Sequence, residues 1–371
     1  MSDDSAPEIP EAYAEALSEV GGATLFTLVT LEAAMRRLHP PLLPDLRERV
    51  EGARARLEAA VKAFRAAPPP PGIEAFHEQL ETGASSALDA ARRFVAPAPP
   101  DQLAAGILGA MRVHARTQEL LYPLRQALPP LGAYFVEPPL RERLPELDPP
   151  REDEVGVGLL RADGDQPDAR GGFCLYVPEY YTNERPWPLI VALHGGHGHG
   201  RDFLWTWLRE ARSRGFLLLA PTSLGGTWAL DGPRGETRRL AEMVEYVAER
   251  WRIDPEHVLL TGLSDGATFS LLAGLDEDVP FTHLAPVSGV LHPASHSLGN
   301  LERAAGKPIY LVHGALDWMF PVSLARMAEE TLRGAGAELT YREIDDLSHT
   351  YPREENARIL EWLDPGLALS S

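Results

Sequence analysis

The sequence predicts an α/β fold, a mostly parallel sheet covered by helices, with an all-α helical bundle domain in front of it. Residues before about 150 form long Ala/Leu/Glu/Arg segments that lack strand-like runs. Beyond that point short apolar runs recur, each bounded by turn-forming residues. Those runs alternate with segments of helical periodicity, and such alternation builds parallel sheets because the crossover helices cover both faces. A chain of 371 residues accommodates two domains. The expected division is a bundle over 1–137, a connector over 138–170 and a sheet domain over 171–371.

Helices are expected first over Ile9–Leu38, Pro44–Ala66, Ile73–Val95 and Asp101–Leu128. Proline bounds each of them, because it lacks an N–H, clashes with the preceding turn and disfavours αR in the residue before it. Prolines at 69–70, 99–100 and 129–130, the first within a run of four, leave segments of matched length with short breaks, as an up-and-down bundle requires. No repeat consensus accompanies that spacing, which equal helix lengths explain. Ala84, Ala87 and Ala91 recur at helical spacing and suit close helix–helix contact.

The connector holds Pro138–Pro139, Pro149–Pro150 and many charges, with a first edge strand expected at Val155–Leu160. Further strands are expected at Gly172–Val177, Leu189–Leu193, Phe216–Ala220, His257–Thr261, His283–Val287, Ile309–Val312 and Leu339–Ile344. Helices fall between them at Arg201–Ser213, Glu236–Trp251, Ala267–Leu275, Pro321–Arg333 and Glu354–Leu363. A sheet of this type binds ligands beyond the carboxyl ends of its strands, so chemistry is sought in the loops that follow them.

Composition narrows the partners. The chain has 54 acidic and 35 basic residues and a formal net charge of −19. Acid outnumbers base on both sides of residue 150, so nucleic acid and acidic membranes are repelled. Cys174 is the only cysteine, which excludes an intrachain disulfide. The first residues carry Asp3, Asp4 and Glu8 without a basic or apolar signal region, and no apolar stretch approaches bilayer length. A cytoplasmic protein with no membrane span is expected.

Several post-strand loops carry chemistry. Gly262-Leu263-Ser264-Asp265-Gly266 follows the apolar Val258–Leu260 and opens the helix at Ala267. G-x-S-x-G between strand and helix is a nucleophile elbow, in which the serine is held strained and exposed. At a helix N-terminus Ser264 also sits where peptide dipoles favour developing negative charge. Leu189–Leu193 runs into His194-Gly195-Gly196-His197-Gly198-His199-Gly200. Its glycines let backbone N–H groups approach a tetrahedral oxygen, and the expected donors are Gly196, with Gly195 next, and Asp265. His194, His197 and His199 with Asp202 raise a metal site, but their spacing matches neither H-E-x-x-H nor a zinc finger. A glycine-rich loop suits backbone donation better than metal ligation. No metal and no organic cofactor is expected, and His194 is assigned to bonding its own loop.

Ile309–Val312 leads into His313-Gly314-Ala315-Leu316-Asp317, and Leu339–Ile344 into a loop ending in His349. Asp317 is the expected acid that fixes a histidine tautomer, with Asp345 and Asp346 as rivals, and His349 is the expected general base. His257, His283, His292, His296 and His313 show no comparable partner in the sequence. Trp318 and Phe320 adjoin the acid, and Trp228 follows Phe216–Pro221. These aromatics are expected to line a pocket for an apolar or aryl group, with core filling as the alternative.

At these residues the chain resembles the α/β-hydrolase superfamily, and most of all the phospholipase/carboxylesterase group with its acyl-protein-thioesterase-like and feruloyl-esterase-like members. The likeness rests on Leu193–Gly200, Gly262–Gly266, His313–Pro321 and Leu347–Pro352, in the chain order Ser, Asp, His. It implies hydrolysis of a small-molecule carboxylic ester through an acyl-enzyme, with Ser264, Asp317 and His349 as triad and Gly196 and Asp265 as oxyanion donors. Thioester hydrolysis on the same residues and a catalytically silent scaffold acting through the helical domain are the alternatives. One residue departs from the pattern: Asp265 stands where thioesterase-like members often carry Gln, and its charge is expected to disfavour anionic acyl groups. Residues 1–150 take no part in the resemblance. The bundle is expected to supply no catalytic group and to act as a homo-oligomer interface or a wall over the acyl pocket.

Overall fold

The structure, a computed structural model, describes residues 9–149, 156–162 and 168–369. The chain divides into two compact units, Met1–Phe135 and Val136–Ser371. Met1–Glu8, on which the reading of the N-terminus largely rested, lie outside the described residues. Among the described residues no helix is long and apolar enough to cross a membrane.

In the first unit α1 (Glu11–Arg36), α2 (Leu43–Ala66), α3 (Glu74–Val95) and α4 (Pro100–Leu121) each pack on the next, and α1 also packs on α3. Leu31, Leu46, Val50, Phe94 and Ile107 meet in their shared core. Ala84, Ala87 and Ala91 are buried on α3 and bring the helices close. The fourth helix ends earlier than expected. Pro123 cannot donate to the ladder, so the chain leaves α4 through a 3₁₀ turn at Tyr122–Arg125 and continues as α5 (Pro129–Tyr134).

The second unit opens with α6 (Leu144–Leu147). This connector is bound to the unit by charge. The Arg214 guanidinium donates to both carboxylate oxygens of Glu137 at 2.7 and 2.8 Å. Arg212, with a fully buried side chain, donates to Asp148 at 2.7 Å and lies 3.7 Å from Glu179.

Next come β1 (Gly158–Arg161), β2 (Phe173–Val177), β3 (Trp187–Leu193), α7 (Gly200–Phe203), α8 (Leu208–Arg214), β4 (Leu217–Pro221), α9 (Arg234–Ala248), β5 (Ile253–Leu263) and α10 (Asp265–Gly274). They are followed by β6 (His283–Val287), α11 (Ala294–Ser297), β7 (Pro308–Gly314), α12 (Val322–Gly334), β8 (Glu338–Ile344) and α13 (Glu355–Leu363). The eight strands form one sheet in the order β1-β2-β4-β3-β5-β6-β7-β8. β1 and β2 pair antiparallel at one edge, and every pairing from β4 through β8 is parallel.

Every residue of β3 and β4 is buried, so both strands read as continuous apolar runs rather than alternating ones. Leu189, Val191, Leu193, Leu260, Phe269 and Leu284 share one core. The expected edge strand appears as β1, while Val155 lies outside the described residues. The expected helix at Arg201–Ser213 is instead α7, a 3₁₀ turn at Leu204–Thr206 and α8. Parallel order brings the loops after β3, β4, β5, β7 and β8 to the same end of the sheet.

Candidate active site

β5 ends at Leu263, and Ser264 turns the chain into α10 with φ 57° and ψ −118°. That left-handed conformation is strained for a residue with a Cβ and persists only where the surroundings impose it. The glycines on either side show what imposes it. A Cβ on Gly262 would stand 2.6 Å from the Gly266 carbonyl carbon, and one on Gly266 would stand 2.5 Å from the carbonyl oxygens of Leu193 and His194. Strand, elbow and helix therefore press backbone on backbone, which only glycine permits. The Ser264 N–H donates to the Val287 carbonyl at 3.0 Å and anchors the elbow to β6.

His349 stands in the loop after β8. Its Nε2 is 2.9 Å from Ser264 Oγ, and its Nδ1 is 2.9 Å from Asp317 Oδ2. Both distances fit hydrogen bonds. The other Asp317 oxygen, Oδ1, accepts the N–H groups of Met319 and Phe320 at 2.9 and 2.8 Å. Burial alone would raise the Asp317 pKa, yet the bonds from His349 and the Phe320 N–H hold it below the usual carboxylate range. With Oδ2 ionised and accepting, Nδ1 carries the proton and Nε2 presents its lone pair to Ser264. Phe320 sets its ring edge-on to the imidazole, centroids 5.3 Å apart. Asp345 and Asp346 are exposed, and Asp317 is the carboxylate that meets His349 Nδ1.

Among the described residues, the N–H groups of Gly196 and Asp265 have no backbone partner. Asp265 is the first residue of α10, where helix geometry leaves the N–H unpaired. Gly195 stands beside Ser264, with 3.5 Å between the place a Cβ would take and Ser264 Cβ. Its carbonyl accepts from Gly198 N at 3.0 Å.

Two histidines of this loop bond backbone groups. His194 Nδ1 donates to the Gly195 carbonyl at 2.7 Å, and Nε2 accepts from Ser223 N at 3.1 Å. His199 Nδ1 accepts from Arg201 N at 3.1 Å, while Nε2 donates to the Ala169 carbonyl at 3.1 Å. Burial pushes the His194 pKa down to about 4, partly opposed by its bond to Gly195. The His194 imidazole should accordingly stay neutral well below pH 6 in an NMR titration, and a midpoint near 6.5 would contradict the bonding described. The sign for stability follows: a depressed folded pKa contributes above the unfolded value of 6.5, and that contribution is lost as pH falls toward 4.

Three expectations need correction. Of the two readings of Trp228, the structure takes core filling over pocket lining: it is 3% exposed, stacks on Phe269 at 5.2 Å and donates from Nε1 to the His194 carbonyl at 2.8 Å. His313 has a partner after all, since its Nε2 donates to the Phe320 carbonyl at 2.8 Å and lies 3.5 Å from Asp317 Oδ2. His257 likewise meets Asp254 at 2.8 Å. Trp318, by contrast, is 54% exposed beside Asp317.

Other residues at the site escaped the sequence reading. Glu236 is buried and accepts the N–H groups of Leu224 and Ala229, both at 2.6 Å, which fixes the loop after β4. Thr227 in that loop donates to Asp265 Oδ2 at 2.6 Å. Arg170 donates to the carbonyls of Ser223 and Gly198 and ties this loop to the glycine-rich one. Tyr351 is buried two residues after His349, donating to Asn356 Oδ1 at 2.9 Å, and Asn356 Nδ2 donates to the Thr206 carbonyl at 2.8 Å. Only the Gly225-Gly226 pair beside Thr227 signalled a special loop in the sequence.

Residues 234–365, which hold Ser264, Asp317 and His349, match the Phospholipase/Carboxylesterase family. Over that span the second unit is similar to this family, and its mostly parallel eight-stranded sheet has the α/β-hydrolase fold. Curated relatives of this chain include an acetylxylan esterase from Coprinopsis cinerea, 31% identical over 134 residues, which are 32% of this chain and 35% of that one. A bifunctional acetylxylan esterase/xylanase from Neocallimastix patriciarum is 26% identical over 181 residues, 47% of this chain and 26% of the relative. The chain thus spans about a third or less of the length of these relatives. Among solved structures it is similar to a thermostable esterase, at 20% identity and a TM-score of 0.46, over 55% of this chain and 62% of the other.

Proposed function

We propose that this chain hydrolyses carboxylic esters through an acyl-enzyme formed on Ser264. The observation that carries the reading is the unbroken run of hydrogen bonds from Asp317 through His349 to a serine on a strained elbow. Ser264 Oγ attacks the ester carbonyl while His349 Nε2 takes its proton and then returns it to the leaving alcohol. Asp317 holds the imidazole and stabilises the imidazolium. The N–H groups of Gly196 and Asp265 receive the oxyanion, in place of water that would have to reorganise. Water then attacks the acyl-enzyme by the same route, with His349 again as base. Trp318 and Phe320 flank the acid and offer an apolar surface to the substrate. The relatives named as acetylxylan esterases favour a short acyl group.

A neutral fluorophosphonate probe tests the reading directly. It should label Ser264, and a graded series of aryl esters should be turned over in the presence of chelator. Absence of labelling on the folded protein would overturn the assignment. His349→Ala, which removes the group 2.9 Å from Ser264 Oγ, should abolish turnover of the same esters.

A further inference from the structure

Acyl transfer as described uses only the backbone of Asp265, yet its side chain is held in a fixed place. Oδ2 accepts the Thr227 hydroxyl at 2.6 Å. The same oxygen lies 2.7 Å from where a Cβ on Gly196 would stand, so the carboxylate rests against the residue whose N–H is the other oxyanion donor. The loop that holds Thr227 is itself pinned by Glu236 and by buried Trp228. Asp265 is only partly buried, and among the described residues nothing hydrogen-bonds to its Oδ1. A full negative charge is thereby fixed beside the place where an oxyanion would form. Such a charge opposes the chemical step for every ester, and it discriminates sharply between esters that differ in charge.

We infer that Asp265 is a charge filter at the acyl site: it admits neutral and cationic acyl groups and turns away those that end in a carboxylate. The inference rests on Ser264 being the nucleophile. A unit charge beside the acyl site in a partly buried cleft changes affinity by about 10- to 100-fold in each direction.

The test is a charge series of 4-nitrophenyl esters: the hemisuccinate, the neutral butyrate and a butyrate ending in trimethylammonium. It is run in about 0.5 M salt, so that the long-range field of the net charge is screened. In the wild type, kcat/KM should fall in the order cationic, neutral, anionic. Asp265→Asn retains the shape and a carbonyl acceptor for Thr227, and it should lower the cationic-to-anionic ratio at least tenfold. Asp265→Ser, which also removes the charge, should do the same. The neutral fluorophosphonate separates the two claims. If wild type and variants all label at Ser264 but share one ratio, the filter is wrong. If the folded wild type does not label, the nucleophile assignment is wrong and the filter falls with it.

Discussion

Ser264→Ala should lower kcat for ester hydrolysis by about 10⁴–10⁶-fold and abolish fluorophosphonate labelling, while the melting temperature stays near that of wild type. The substitution removes one oxygen and leaves the Cβ, so the elbow keeps the packing that the glycines at 262 and 266 define. Its backbone anchors also remain, since the Ser264 N–H to Val287 and the Ser264 carbonyl to Thr268 N involve no side-chain atom. What disappears is the group 2.9 Å from His349 Nε2. A variant that kept more than a tenth of wild-type kcat, with its fold verified by circular dichroism, would remove Ser264 from the mechanism.

Asp317→Asn should cost up to about 10⁴ in kcat with little change in stability. The asparagine carbonyl can still accept the N–H groups of Met319 and Phe320. Its amide then faces His349 Nδ1 as a donor where a carboxylate had accepted. That contact selects the tautomer with the proton on Nε2, which cannot take one from Ser264. Asp345→Asn and Asp346→Asn alter exposed carboxylates and should each leave kcat within about twofold. If one of those were the crippling change, the acid would have to be reassigned.

The elements that carry the chemistry were legible because they combine strong local signals with an order along the chain. The apolar runs of β3, β5 and β7 each end in a glycine-bearing loop, and G-x-S-x-G marks the elbow without tertiary information. Residues that act through long-range contact gave no such signal. Glu236 reads as an ordinary carboxylate in the first turn of α9, and only the return of the chain over 224–229 gives it two backbone donors. The sequence leaves Trp228 open between pocket lining and core filling, and only the contacts with Phe269 and the His194 carbonyl draw its indole into the core. His313 was passed over for a similar reason. The turn from Asp317 to Phe320 folds back on it, a closure that the sequence does not announce. Helix ends slipped wherever proline or a 3₁₀ turn cut a periodic segment short, as at Leu121 and Leu204.

The ion pairs of the connector decide where this protein can be cut. By composition, residues 138–149 resemble a dispensable linker, rich in proline and charge. Yet Glu137 and Asp148 neutralise Arg214 and Arg212, whose side chains are 4% and 0% exposed. Removing one partner of a buried pair costs about 3–5 kcal/mol, because the remaining charge is stranded away from water. A protease nick followed by loss of everything before residue 150 would therefore strip Arg212 and Arg214 of their 2.7 Å carboxylate partners and leave them the more distant Glu179 and Glu361 as acidic neighbours, at 3.7 and 3.6 Å. A fragment beginning at Val136 keeps both pairs, and that is where a gene for the isolated second unit should start.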